Sequence, residues 1–202
     1  MKILCSLTVF LAFQSFVFAP ATITKEERKS ADKFLSESEA TAIATVSKLS
    51  EAQLKFKPAP DKWSVEECMM HIAASETVLW GIADGTIKAA ANPEKRSEIK
   101  MSDEDVKKNI ADRTNKVKTF PPLEPQNSGF KTASEASASF KENRDKLIKY
   151  VNTTKDDLRN HVAKLEFGYL DSYQMALFIG AHTNRHIAQM KEVMADPNFP
   201  KN

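Results

Sequence analysis

An all-α protein, a four-helix bundle with one long crossover between helices two and three, is the fold this sequence predicts. Three observations predict it. Apolar residues recur at the 3.6-residue helical period in four long stretches. Those stretches open on residues suited to cap a helix, most with a Glu or Gln three positions on. Five glycines and nine prolines in 202 residues are few for an all-β chain, and no segment alternates with period two for long.

The chain opens with a leader. Lys2 supplies a positive start, Ile3 to Ala19 is almost wholly apolar, and Ala19-Pro20-Ala21 offers small residues for a signal peptidase. Residues 1–21 therefore read as a signal peptide. The domain then spans residues 22–202 of an exported protein, periplasmic or secreted, with no membrane segment left after cleavage.

Thr24-Lys25-Glu26-Glu27 is a capping box, and Ala31, Phe34, Leu35, Ala42, Val46 and Leu49 carry helix one to about Ser50. Pro58 and Pro60 stop it, because each removes a backbone donor and fixes φ. Ser64 caps helix two with Glu67 as its partner and Trp63 as a hydrophobic staple. Val65, Cys68, Met69, Ile72, Ser75 and Leu79 form its buried stripe to about Ala90, with His71 flanking. Asn92-Pro93 ends helix two, and Ser102 opens a short polar helix to about Lys118. Pro121, Pro122, Pro125 and Gly129 then make an irregular passage, long enough to join two parallel helices over the outside of a bundle. Thr132 and Glu135 open helix three, which runs through Phe140, Leu147, Ile148 and Val151 to about Thr153. A shorter segment, Asp156 to Leu170, precedes Asp171, which caps helix four with Gln174 three positions on.

Composition excludes several functions. The net charge is +2, from 29 Lys+Arg against 27 Asp+Glu with the signs interspersed. No basic cluster, zinc-finger spacing or Gly-rich phosphate loop is present, so nucleic acid is not an expected partner. Removing the leader takes Cys5 and leaves Cys68 alone, so stability must come from packing and not from an internal disulfide. Cys68 reads as a small buried hydrophobe.

The chemistry concentrates in the histidines. His182 and His186 lie four apart, one turn apart on one face of helix four, in line with Met175, Phe178, Ile179, Gln189, Met190 and Val193. Such a pair either shares a metal ion or forms a hydrogen-bonded pair in the core. His71, near the apolar face of helix two, supplies a third imidazole. Three imidazoles on one divalent ion leave a coordination position open, the form of a catalytic or substrate-binding site. Thr183 excludes the H-E-x-x-H motif, so a general base is not built into the pair. Glu67, one turn before His71, either serves as a proton acceptor beside the site or only closes its capping box. Arg185 either holds an anionic group of the substrate or projects to solvent or a carboxylate. His161 has no pattern linking it to the others.

The run Pro58-Ala59-Pro60-Asp61-Lys62-Trp63-Ser64-Val65-Glu66-Glu67 followed by His71-Ile72-Ala73, together with His182-Thr183-Asn184-Arg185-His186-Ile187-Ala188-Gln189, resembles the DinB superfamily of DinB/YfiT-like proteins. The resemblance covers essentially the whole chain after the leader. It implies the four-helix bundle with its long crossover, often assembled as a homodimer, and a divalent metal held by His71, His182 and His186. Similar proteins include metal-dependent hydrolases and transferases that use thiols such as bacillithiol or mycothiol. Those thiols are cytosolic, so the leader argues against the transferase role. The expectation is an exported protein holding zinc or nickel and hydrolysing a small-molecule substrate. The alternatives are a thiol S-transferase and a non-catalytic metal- or ligand-binding module.

Overall fold

The computed structural model describes residues 22–201; the signal peptide expected at residues 1–21 lies outside them. The bundle helices are α1 (Lys25–Val46), α3 (Val65–Lys88), α5 (Ala133–Thr153) and α6 (Ser172–Met194). One short helix, α2 (Glu51–Lys55), follows α1, and another, α4 (Asp103–Ala111), lies in the crossover. A small antiparallel hairpin, β1 (Val162–Leu165) and β2 (Gly168–Asp171), leads into α6.

Local chemistry explains most boundaries. Thr24, Ser64, Ser102 and Asp171 each accept from the backbone N–H three residues on, and Glu27, Glu67, Asp105 and Gln174 return the bond. Thr132 makes only half of its box. Its hydroxyl accepts from the Glu135 N–H, but the Glu135 carboxylate accepts from Lys131 instead. Helix one stops at Val46, short of the expected Ser50, because Ser50 and Gln53 cap a separate turn at α2. The crossover helix ends at Ala111 and not near Lys118. There the Asp112 carboxylate turns back to the Thr114 N–H and hydroxyl, a local turn that competes with further helix. The hairpin was not expected. Its strands have four residues each, too few to show a period of two, and Gly168 closes the two-residue turn at φ +137°.

Two apolar clusters fill the bundle. One contains Leu35, Leu147, Val151, Leu170, Tyr173 and Ile179; the other contains Val46, Met69, Ile72, Phe140, Ile187 and Met190. Following each helix from one cluster to the other gives its direction. Chains α1 and α6 run one way, α3 and α5 the other, so the crossover joins two parallel helices as expected.

Between the clusters lies a polar layer. Arg144 of α5 is fully buried and uses all five of its N–H donors. Its Nε and Nη2 grip the Glu76 carboxylate of α3 at 2.6 and 2.8 Å. Its Nη1 reaches Ser38 Oγ and the Leu35 carbonyl of α1, and Nη2 reaches Thr183 Oγ1 of α6. One guanidinium thus ties four helices at a single level. A second hub, Arg159, pairs with Glu27, Asp103 and Asp171 and lies 4.2 Å over the Tyr173 ring, pinning the starts of α1, α4 and α6 together.

Gly180 sets how closely α6 approaches α1. A Cβ there would stand 2.7 Å from Phe34 Cε1 and 3.2 Å from Leu35 Cδ2, below ordinary contact. Gly180→Ala should therefore lower stability by about 1 kcal/mol. Overpacking of about 1–3 kcal/mol outweighs a helix-propensity gain of about 1 kcal/mol. Urea midpoints of the two proteins, with and without Phe34→Leu to relieve the contact, measure this directly.

Candidate metal centre

The three histidines named from sequence converge at the level of the polar layer. His71 comes from α3; His182 and His186 come from consecutive turns of α6. His182 Nε2 lies 3.2 Å from His71 Nε2 and 3.2 Å from His186 Nε2, and the three ligand atoms fall within 4.8 Å of one another. Trp63, at the mouth of α3, packs its ring 4.9 Å from that of His71 and 5.9 Å from that of His186. Its expected role as a staple thus becomes a wall of the centre.

Hydrogen bonding fixes which nitrogen each ring presents. His71 Nδ1 donates to the Leu123 carbonyl at 2.7 Å. A carbonyl only accepts, so Nδ1 holds the proton and Nε2 the lone pair. His186 Nδ1 donates to Gln189 Oε1 at 3.0 Å, leaving its Nε2 as a lone pair also. One proton on His182 Nε2 can fill only one of its two 3.2 Å contacts, and the hydroxyl of Ser75 stands 3.4 Å from His71 Nε2. A divalent cation would satisfy all three nitrogens at once. A tetrahedral ion with bonds of about 2.0–2.1 Å holds its nitrogen ligands about 3.3 Å apart; the two separations from His182 Nε2 meet that demand, and the third pair lies within 4.8 Å.

Electrostatics favour the same state. Burial pushes all three imidazoles below their usual range, and each charged ring would repel the next. His182 is driven to about 3, chiefly by burial, with His71, Arg185 and Arg144 adding repulsion. The rings are therefore neutral ligands at physiological pH.

A sequence model of the DinB superfamily matches residues 35–190. The chain belongs to the DinB superfamily. It is similar to the uncharacterized protein YuaE of Bacillus subtilis (strain 168), at 28% identity over 146 residues, covering 72% of this chain and 85% of the relative. Among solved structures it is similar to YfiT from Bacillus subtilis, described as a probable metal-dependent hydrolase with an unusual four-helix bundle topology. That match has a TM-score of 0.58 at 16% identity and covers 86% of this chain and 89% of YfiT. It shows the four-helix fold.

Beside the centre, this DinB-superfamily chain has a cleft of about 600 Å³ between α6 and the crossover. His186, Trp63, Arg113, Lys116, Glu124 and Arg185 are among its walls. Arg185, a candidate substrate contact, is engaged with the crossover backbone. Its guanidinium donates to the carbonyls of Asp112 and, at 2.7 Å, Asn115, holding the crossover against α6. Glu67, a candidate proton acceptor, is engaged at the start of α3. Its carboxylate closes the capping box at 2.8 Å and pairs with Lys57 at 3.0 Å. His161 sits apart, bonded to the Thr86 carbonyl. Cys68 is a fully buried free thiol, and burial raises its pKa. Sequence reasoning missed Leu123 and Arg113, which lie in the crossover where no periodic signal marks them.

Proposed function

We propose that this DinB-superfamily chain is a hydrolase of a small substrate, exported from the cytosol, that uses a divalent metal, zinc or nickel, held by His71, His182 and His186. The convergence of three neutral imidazoles on one point carries the reading. A bound divalent ion supplies Lewis-acid chemistry, polarising a substrate oxygen and easing deprotonation of water near neutral pH. The chain's own residues do the rest. Leu123 and Gln189 orient His71 and His186 through their Nδ1 protons. The Trp63 ring excludes water from one side. The cleft admits a substrate against His186. Of the cleft's carboxylates, Asp61 pairs with Lys62 at 2.8 Å and Glu192 with Arg113 at 2.7 Å. Among the described residues the Glu124 carboxylate accepts only from the Gln126 amide, at 2.6 Å, and it is the group we assign to take up a proton. The leader at residues 1–21 supports export.

Untagged protein starting at Thr22 should hold about one metal ion per chain, and His186→Ala should lose it. An ester and amide panel should then show turnover that falls at least about 100-fold in Glu124→Gln with metal retained, the lower end of general acid–base effects of about 10²–10⁴. Folded wild-type protein that takes up no zinc or nickel overturns the reading. Turnover only of a thiol with a chloro-aromatic acceptor transfers it to the S-transferase class.

A further inference from the structure

We propose that Arg113, on the crossover, is a positioning residue for the histidine centre: it holds the Gln189 amide with its oxygen toward His186. That fixes the His186 tautomer whose Nε2 faces the other two histidines. The inference rests on the reading above and deepens it.

The three ligands are not oriented with equal security. His71 is fixed by a backbone carbonyl, which cannot exchange acceptor for donor. His186 relies on a side-chain amide, whose two ends differ only in which is oxygen and which is NH₂. Turned by 180°, the amide would offer its NH₂ to His186 Nδ1. The ring would then accept at Nδ1, carry its proton on Nε2, and be lost as a ligand.

Arg113 removes that alternative. Its Nη1 donates to the same Gln189 Oε1 at 3.2 Å, and a guanidinium has no acceptor to offer an NH₂ group. The guanidinium is itself held in a fork by Glu192 of α6, Nε to Oε1 at 2.7 Å and Nη2 to Oε2 at 2.8 Å. Arg185 secures the chain on both sides of Arg113 by its bonds to the Asp112 and Asn115 carbonyls. The crossover therefore contributes to two ligands of the three, through the Leu123 carbonyl and through Arg113. Supporting hydrogen bonds of this kind are worth about 10–100-fold in metal affinity when removed.

Ring-nitrogen NMR of the metal-free protein gives the first test. His186 should be protonated at Nδ1 in the wild type and shift toward the Nε2-protonated form in Arg113→Met. Zinc affinity, by competition with a chromophoric chelator, should weaken about 10–100-fold in the same variant. Gln189→Glu provides the rescue, because a carboxylate presents an acceptor whichever way it turns. Adding Arg113→Met to Gln189→Glu should cost no more than a few-fold. Should Arg113→Met fail to fold, Glu192→Gln, which weakens the fork and leaves the crossover in place, should show the same tautomer shift with a smaller loss. An unchanged tautomer and affinity in the Arg113 variant, or an equal loss with and without Gln189→Glu, overturns the proposal. Wild-type protein that binds neither zinc nor nickel defeats the metal reading instead, and the tautomer measurement still reports on Arg113.

Discussion

Replacing Arg144 by methionine is expected to destabilise the protein by about 3–5 kcal/mol at neutral pH, because it leaves the Glu76 carboxylate buried without its partner. Glu76 is 3% exposed, and Arg144 meets both of its oxygens. The other groups released are less costly. Ser38 Oγ still donates to the Leu35 carbonyl at 2.9 Å, and Thr183 Oγ1 to the Ile179 carbonyl at 3.2 Å. The pH dependence has a definite sign. Burial already raises the Glu76 pKa above its unfolded value, with Arg144 opposing the rise and Glu39 adding to it. Without Arg144 the folded value climbs further. A raised folded pKa gives stability that is full below the unfolded value near 4.5 and lost as pH rises through the folded one. The penalty should therefore be smaller at pH 5 than at pH 7, by urea denaturation. Adding Glu76→Leu to Arg144→Met should recover most of the loss, since an apolar replacement of a buried pair is often neutral or better. Equal penalties in the single and double variants would show that packing, and not the orphaned charge, sets the cost.

That pair also marks where the sequence could be read and where it could not. Capping boxes were legible because both partners lie within four residues, and the three histidines because two share a helical period and the third lies near an apolar stripe. Arg144 had a signal that a composition-minded eye discounts. With Phe140, Leu147 and Val151 it occupies one helical stripe, so its phase points inward although Lys-Glu-Asn-Arg-Asp-Lys looks like a solvated face. Leu123 and Arg113 gave no signal. One acts through a backbone carbonyl, which any residue would supply, across 52 positions to His71. The other reaches Gln189 across 76 positions from a segment without periodicity. The histidines, and Gln189 one turn beyond His186, were visible in one dimension; Leu123 and Arg113 depend on how the crossover lies in three.

Metal removal should produce the second large effect, and it should sharpen with acid. An ion that binds only the folded chain stabilises it by RT ln(1 + [L]/Kd), about 2.7 kcal/mol at a free concentration 100 times Kd, and a chelator takes that away. The stripped protein keeps three imidazoles, His71 and His186 buried and His182 partly so, whose folded pKa values lie below the unfolded value of 6.5, His182 at about 3. Between the folded and unfolded values the unfolded chain binds more protons, so stability rises with pH across that window and falls as pH drops below about 6.5. Glu76 and Asp171, whose carboxyls are raised by burial, act with the opposite sign and soften the fall. The loaded protein should share the acid loss and add to it, because protons compete with the ion for the same nitrogens. Denaturation midpoints of stripped and zinc-loaded protein from pH 7.5 to 5 should therefore converge as the pH falls. His186→Ala should leave no metal-dependent gap at any pH. A gap of constant size down to pH 5 would place the stabilising ion somewhere other than these three imidazoles.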